Sequence, residues 1–273
     1  MSDHQRSEHR NLIEAFGVIA AAQPNGVVRR VDGVVTIASG LPMSLFNQIF
    51  IESEPESASA TAVADAASPT AVAEAVALLR ERGAPWVLTL AQGLDDRFVT
   101  VAADLGLVLD PGEGFPGMAV SPLPAPEPEP AGLEIRQVAG ASLPDHASVV
   151  ERGFGLDRAI IDAVMSDAIA ADPRFAYYVG YVDGVAAVSG LGVRTGDTIG
   201  VFNIATLEEA RRRGYGAAIT RRILADGALR GCTIGTLQSS DMGRPVYEAI
   251  GFRTVATYVG YVDPRQLGSG AHG

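Results

Sequence analysis

Short apolar runs, broken by glycine, proline and aspartate, follow one another along the whole chain. In the first 120 residues the pattern predicts a helix over 11–22 and two strands over 27–31 and 34–38. Asp32-Gly33 between the strands is a favoured hairpin pair. A strand follows over 46–52, and the alanine-, serine- and glutamate-rich stretch 54–67 reads as a loop. Ser68 and Pro69 open a helix, serine as the cap and proline in the first turn, which runs to Arg82 and stops at Gly83. A strand over 86–90, a helix over 95–105 ending at Gly106, and a short strand over 118–120 complete this half.

The second half gives a similar series. A strand over 133–138 precedes helices over 144–153 and 158–170. Strands over 176–182 and 185–193 flank Asp183-Gly184, and another strand spans 198–205. A helix over 214–230 is closed by Gly231 at its C-cap. Then come a strand over 233–237, a short helix over 244–250 and a closing strand over 253–261. Both halves end in the order strand, long helix, strand, short helix, strand, with Leu105-Gly106-Leu107 answering Ile250-Gly251-Phe252. This shared order points to a distant internal duplication. Between the halves, residues 121–132 read SPLPAPEPEPAG, with five prolines in twelve positions. Such a stretch forms a semi-rigid extended linker.

Composition narrows the classes. Hydrophobic residues make up 47% of the 273, ample for a buried core. No run reaches the roughly 18–20 apolar residues of a membrane span, and the polar start lacks a signal-peptide core. The expected location is the cytoplasm, with no membrane partner. A net charge of −11 opposes nucleic-acid binding, which depends on cationic neutralisation of phosphates. The lone Cys232 cannot form an internal disulfide or build a zinc site by itself and reads as a small buried apolar residue. No metal is expected. Every one of the 21 basic residues is arginine.

Five of those arginines fall within residues 211–222, where the sequence reads RRRGYGAAITRR. An apolar strand runs into this glycine-bearing loop, which opens directly into a helix. A helix start leaves backbone N–H groups unpaired and carries partial positive charge, so it holds phosphate oxygens well. A Walker loop would need Gly-Lys-Ser/Thr, and a Rossmann turn would need a third glycine where Ile219 stands. The pattern Arg211-x-x-Gly214-x-Gly216 instead resembles the pyrophosphate loop of the GNAT acetyltransferase family, which reads Gln/Arg-x-x-Gly-x-Gly/Ala. Downstream, Val246-Tyr247-Glu248-Ala249-Ile250-Gly251-Phe252 resembles the family's Leu/Val-Tyr-Glu-x-x-Gly-Phe helix. Ser240 stands where many members carry asparagine.

The resemblance covers about residues 133–262. It implies two tandem GNAT-like domains, each a mixed, largely antiparallel twisted sheet flanked by helices. The expected division is a degenerate domain over 1–120, the linker over 121–132, a catalytic domain over 133–264 and a flexible tail over 265–273. It implies acetyl-CoA as the cofactor, CoA as the product, and transfer of acetyl to a primary amine by direct attack on the thioester. The pantetheine arm would lie against Ile204, Ala205 and Thr206, with Ser240 close by. The pyrophosphate would meet Arg211, Arg212, Arg213, Gly214, Tyr215, Gly216 and Ala217. Tyr247 occupies the place of the usual general acid. No base is evident, although Glu151, His146 and Asn203 can be considered. The first half lacks an equivalent loop and carries Ala102 in the position matching Tyr247, yet Phe46 and Asn47 could line an acceptor pocket. Two other functions remain open: a non-catalytic CoA-binding regulatory module, or acetylation of a protein N-terminus. The acceptor, and whether the chain is a monomer or a homodimer, are not readable.

Overall fold

The computed structural model describes residues 1–52, 67–112 and 114–267. The expected loop over 54–67 lies almost wholly outside them, as does the end of the expected tail. In chain order the elements are α1 (Asp3–Ala21), β1 (Val27–Val31), β2 (Val34–Ala38), β3 (Asn47–Ile51), α2 (Pro69–Arg82), β4 (Val87–Ala91), α3 (Arg97–Asp104), β5 (Val108–Leu109) and β6 (Phe115–Val120). They continue with β7 (Leu133–Val138), α4 (Leu143–Phe154), α5 (Arg158–Val164), α6 (Asp167–Ala170), β8 (Phe175–Val182), β9 (Val185–Thr195) and β10 (Thr198–Thr206). The last four are α7 (Tyr215–Leu229), β11 (Ile234–Gln238), α8 (Arg244–Ile250) and β12 (Arg253–Val262).

Local chemistry accounts for many of these limits. Ser68 caps α2 by accepting from Thr70 N–H at 3.2 Å. Asp32-Gly33 and Asp183-Gly184 all adopt positive φ, as a type I′ hairpin turn requires. Three differences from the sequence reading stand out. Helix α1 starts at Asp3 rather than residue 11, the expected helix over 158–170 is broken into α5 and α6, and the strand expected at 118–120 begins at Phe115. Among the described residues no helix is long and apolar enough to cross a membrane.

The chain packs as two compact units, and neither coincides with a half of the sequence. One holds Met1–Ala15 and Pro116–Val255, the other Phe16–Phe115 and Ala256–Gly273. The halves have exchanged their last strands: β6 pairs antiparallel with β11, and β12 pairs antiparallel with β4. A hydrophobic pattern announces a strand but does not name the neighbour that completes its hydrogen bonds.

In the first unit the strand order is β6-β11-β10-β9-β8-β7. Only β10 and β11 run parallel. Helix α7 covers one face through Ile219, Ile223 and Leu224, which join Val188, Ile199 and Val201 in one core cluster. The opposite face carries α4, whose Val149 packs with Ala205 and Leu207. The beginning of α1 lies on that same opposite face, where Asn11 donates to Val193 O at 2.9 Å.

In the second unit the order is β1-β2-β3-β4-β12, with β5 also on β12. Helix α2 buries Val72, Val76 and Leu79 against Ile49, Leu88 and Leu90. The Asp95 carboxylate is buried here and accepts from Ala91 N–H at 2.8 Å. Burial pushes its pKa up to about 6 from 3.8. The folded state therefore favours the protonated acid, and this stabilisation is complete below pH 4 and lost as pH rises through 6. Asp95→Asn keeps the acceptor oxygen without the charge. It should match the wild type at pH 4 and exceed it at pH 8 by up to about 3 kcal/mol, taking 1.36 kcal/mol per pKa unit. Urea denaturation at the two pH values checks this; equal stability differences at both would contradict it.

Candidate functional site

The site begins where two parallel strands part. β10 and β11 pair only at Thr198, Ile199 and Gly200, opposite Ile234, Gly235 and Thr236. Beyond Gly200 each continues with a different partner: β10 stays with β9, and β11 runs on beside β6 as far as Gln238. Among the described residues, the facing edges of the fork have no ladder partners.

A bulge sets the direction of the free strand. Val201 and Phe202 oppose Gly192 and Leu191, but Ala205 opposes Ser189, so Asn203 and Ile204 together face Gly190. One extra residue reverses which side chains point to which face. Asn203 takes φ +51, a left-handed conformation that asparagine tolerates, and its carbonyl accepts from Ser189 Oγ at 3.1 Å. The shift turns Ile204 towards α7. A Cβ built on Gly216, in the first turn of that helix, would lie 3.7 Å from Ile204 Cγ2 and 3.6 Å from Thr206 Oγ1. That is ordinary contact, so the fold itself does not demand glycine at position 216.

The connecting loop is shaped like an anion cradle. Arg212 has φ +60 and Gly214 has φ +78. Left-handed residues in such a turn point successive N–H groups into one concavity. Gly214 caps α7 but supplies no side-chain acceptor, so the first-turn N–H groups keep their capacity for a ligand. The arginines divide by role. Arg211, Arg212 and Arg213 are exposed, and Arg211 Nε donates to Thr206 O at 3.2 Å. Arg221 and Arg222 are instead paired with the linker acids Glu127 and Glu129, at 3.1 and 3.3 Å.

Tyr247 lies past the end of β11. Its ring meets Phe252 edge-on, with centroids 6.0 Å apart. Gly243 lets the ring approach, because a Cβ there would be 3.0 Å from Tyr247 Cε2, 3.4 Å from Ser240 Oγ and 3.5 Å from Ser239 Oγ. Burial pushes the phenol up to about 12, so it carries its proton throughout the neutral range. Ser240 works at the start of α8: its hydroxyl and carbonyl accept from Gly243 N–H at 3.2 and 3.1 Å.

No family model matches the sequence, and no curated protein matches it. Solved structures do match. One is a GCN5-related N-acetyltransferase from Kribbella flavida, at 18% identity and a TM-score of 0.69, covering 97% of this chain and 96% of that one. Another is a tandem GNAT protein from the clavulanic acid biosynthesis pathway, at 12% identity and a TM-score of 0.62, covering 92% and 93%. A third, from Sphaerobacter thermophilus, is again a GCN5-related N-acetyltransferase, at 16% identity and a TM-score of 0.58, with 84% and 80% covered. The chain has the tandem GNAT fold.

Other residues considered from the sequence fall elsewhere in the GNAT fold. His146 is fully buried rather than on the surface. Its Nδ1 lies 3.0 Å from Tyr178 O, and burial holds its pKa down at about 4, so it is neutral at pH 7. Glu151 is half-exposed and lies 3.6 Å from Arg158. Asn47 is spent on its own loop, donating to Leu41 O, Met43 O and Pro85 O at 2.8 to 2.9 Å. Phe46 and Ala102 are buried core residues. Sequence reasoning missed Glu8 and Asn11 of α1, both fully buried. Thr236 Oγ1 reaches Asn11 Oδ1 at 3.4 Å, on the last paired residue before the fork. One helical turn earlier, Glu8 accepts from Gln238 Nε2 at 2.6 Å. A Cβ on Gly117 would lie 2.5 Å from a Glu8 carboxylate oxygen, so glycine is what admits that acid.

Proposed function

We propose that the chain is an acetyl-CoA-dependent N-acetyltransferase acting on a primary amine of a small molecule. The observation that carries this reading is the fork between β10 and β11, closed by an uncapped helix start behind a loop with two positive-φ residues. The residues there suit the coenzyme. N–H groups from Arg212 to Ala217 can donate to a diphosphate, Gly216 leaves space beside them, and three exposed arginines supply charge. The unpaired edge of β10 at Ile204, Ala205 and Thr206 is available to an extended arm, as an added strand would use it.

Acetyl-CoA supplies the acetyl group as a thioester. The chain's part is to orient it and to manage charge and a proton. Main-chain N–H groups on the open edge of β10 can stabilise negative charge developing on the carbonyl oxygen. Tyr247, protonated at neutral pH, can donate to the departing sulfur, a role for positioned acids typically worth ~10²–10⁴ in rate. The test is coenzyme release measured across a panel of primary amines. Sustained turnover is expected. Tight uptake of CoA with no turnover on any amine would make the chain a regulatory module instead, and no uptake of CoA at all would remove the reading altogether.

A further inference from the structure

The start of α1 lies on the face of the fork opposite α7, and its polar groups have no part in the chemistry described above. Leu237 joins the core under α7, so strand alternation turns its neighbours Thr236 and Gln238 to the other face. There Gln238 Nε2 donates to Glu8 at 2.6 Å, and Thr236 Oγ1 meets Asn11 Oδ1 at 3.4 Å. Glu8 and Asn11 stand at i and i+3, neighbours on one side of the helix. Phe202, on the part of β10 that has left β11, comes to the same side. A Cβ on Gly200 would lie 1.8 Å from Asn11 Oδ1 and 2.6 Å from Phe202 Cε2, so glycine there is what lets the ring and the helix meet.

The pairing with Glu8 orients an amide. Glu8 is fully buried, whereas Gln238 is half-buried at the last position of β11. A carboxylate offers acceptor oxygens, so the glutamine turns its NH2 group inward to it. That leaves Oε1 on the side away from the acid, and among the described residues no donor reaches it. An acid behind the amide polarises it and strengthens this oxygen as an acceptor. The phenol of the proposed chemistry is close in the chain but lies across the sheet. Ser239, the next residue, shares a neighbour with Tyr247, since a Cβ on Gly243 would lie 3.5 Å from Ser239 Oγ and 3.0 Å from Tyr247 Cε2. Tyr247 itself packs against the core under α7. Gln238 and Tyr247 therefore flank the same end of the fork from opposite faces.

We propose that Gln238 Oε1 accepts a hydrogen bond from the attacking nitrogen of the acceptor, with Phe202 as an apolar wall of that approach and Glu8 as the positioning residue that fixes the amide. The proposal rests on the acetyl-transfer reading above. The glutamine holds the nitrogen and does not take its proton. Coenzyme release is measured with phenylethylamine, putrescine and ethanolamine as primary-amine probes at saturating acetyl-CoA, and the KM for acetyl-CoA with the fastest of them. Gln238→Met keeps the length of the side chain and removes the acceptor. It should raise the amine KM roughly tenfold, as the loss of one hydrogen bond does, and leave the KM for acetyl-CoA unchanged. Glu8→Met should act in the same way. Glu8→Gln, which retains an acceptor oxygen for Gln238 Nε2, should restore most of the loss. A pair that only docks α1 would lower the melting temperature and leave the amine KM unchanged, or shift both KM values together. Either result would overturn the proposal while leaving the coenzyme reading intact. Should Gln238→Met or Glu8→Met not fold, the double exchange of Glu8→Gln with Gln238→Glu retains the pair and turns the acid outward. A lower amine KM in that protein supports the proposal, and an unchanged or higher one overturns it. If wild type transfers acetyl to no primary amine, both readings fail.

Discussion

Gly216→Val is expected to lower CoA affinity roughly 100-fold while leaving the fold in place. Position 216 lies inside the first turn of α7 and outside the positive-φ set, so valine meets no backbone strain there. Its Cβ finds ordinary contact distance to Ile204 and Thr206. What valine removes is the open space beside the N–H groups from Arg212 to Ala217. Losing one or two charge-assisted hydrogen bonds costs about 1.5–3 kcal/mol each, and 2.7 kcal/mol corresponds to a factor of about 100. Gly216→Ala, with one methyl at that same spot, should lose much less. Calorimetry on both variants, with thermal melts as the fold control, reads the result. Full affinity in a folded Gly216→Val protein would mean that the diphosphate binds elsewhere.

Tyr247→Phe is expected to lower turnover at least tenfold with acetyl-CoA affinity nearly intact. The ring sits on Phe252 and beside Gly243, contacts that phenylalanine keeps. Among the described residues its hydroxyl has no hydrogen-bond partner in the protein, so the substitution breaks no structural bond. A phenol held near 12 loses its proton only at strongly alkaline pH, so the wild-type rate should show no fall near pH 10 from this group. Steady-state kinetics with an established amine would decide the matter, and unchanged turnover would take Tyr247 out of the chemistry.

The turn that leads into α7 was legible in the sequence because its chemistry is local. Arg211, Gly214 and Gly216 announce a strand-to-helix turn with free amides, and the structure places that turn at the mouth of the fork. Asp32-Gly33 and Asp183-Gly184 were legible for the same reason, since turn conformation is written in two adjacent residues. The exchange of β6 and β12 was not legible. A strand's pattern states which face is buried and leaves its neighbour open. The first turns of α1 escaped because Glu8 and His9 are polar residues at buried positions, which erases the apolar period that marks a helix. The burial of His146 left no sequence mark either, since its partner Tyr178 O lies 32 residues away. The bulge at Asn203 left no sequence mark, although it determines that Ile204 faces α7.

The linker was legible as a spacer only. Its prolines explain its extension, while its acids acquire a role only once Arg221 and Arg222 are seen to pair with them. Two of the five arginines that looked free for phosphate are thereby engaged, and the charge left for a ligand is concentrated at Arg211, Arg212 and Arg213.

A crystal structure of the chain grown with coenzyme A is the most direct examination of this account. Diphosphate oxygens should lie within 3.2 Å of main-chain nitrogens between Arg212 and Ala217, with the pantetheine arm along β10 beyond Asn203. Coenzyme found bound away from the start of α7, or crystals that take up none, would contradict it.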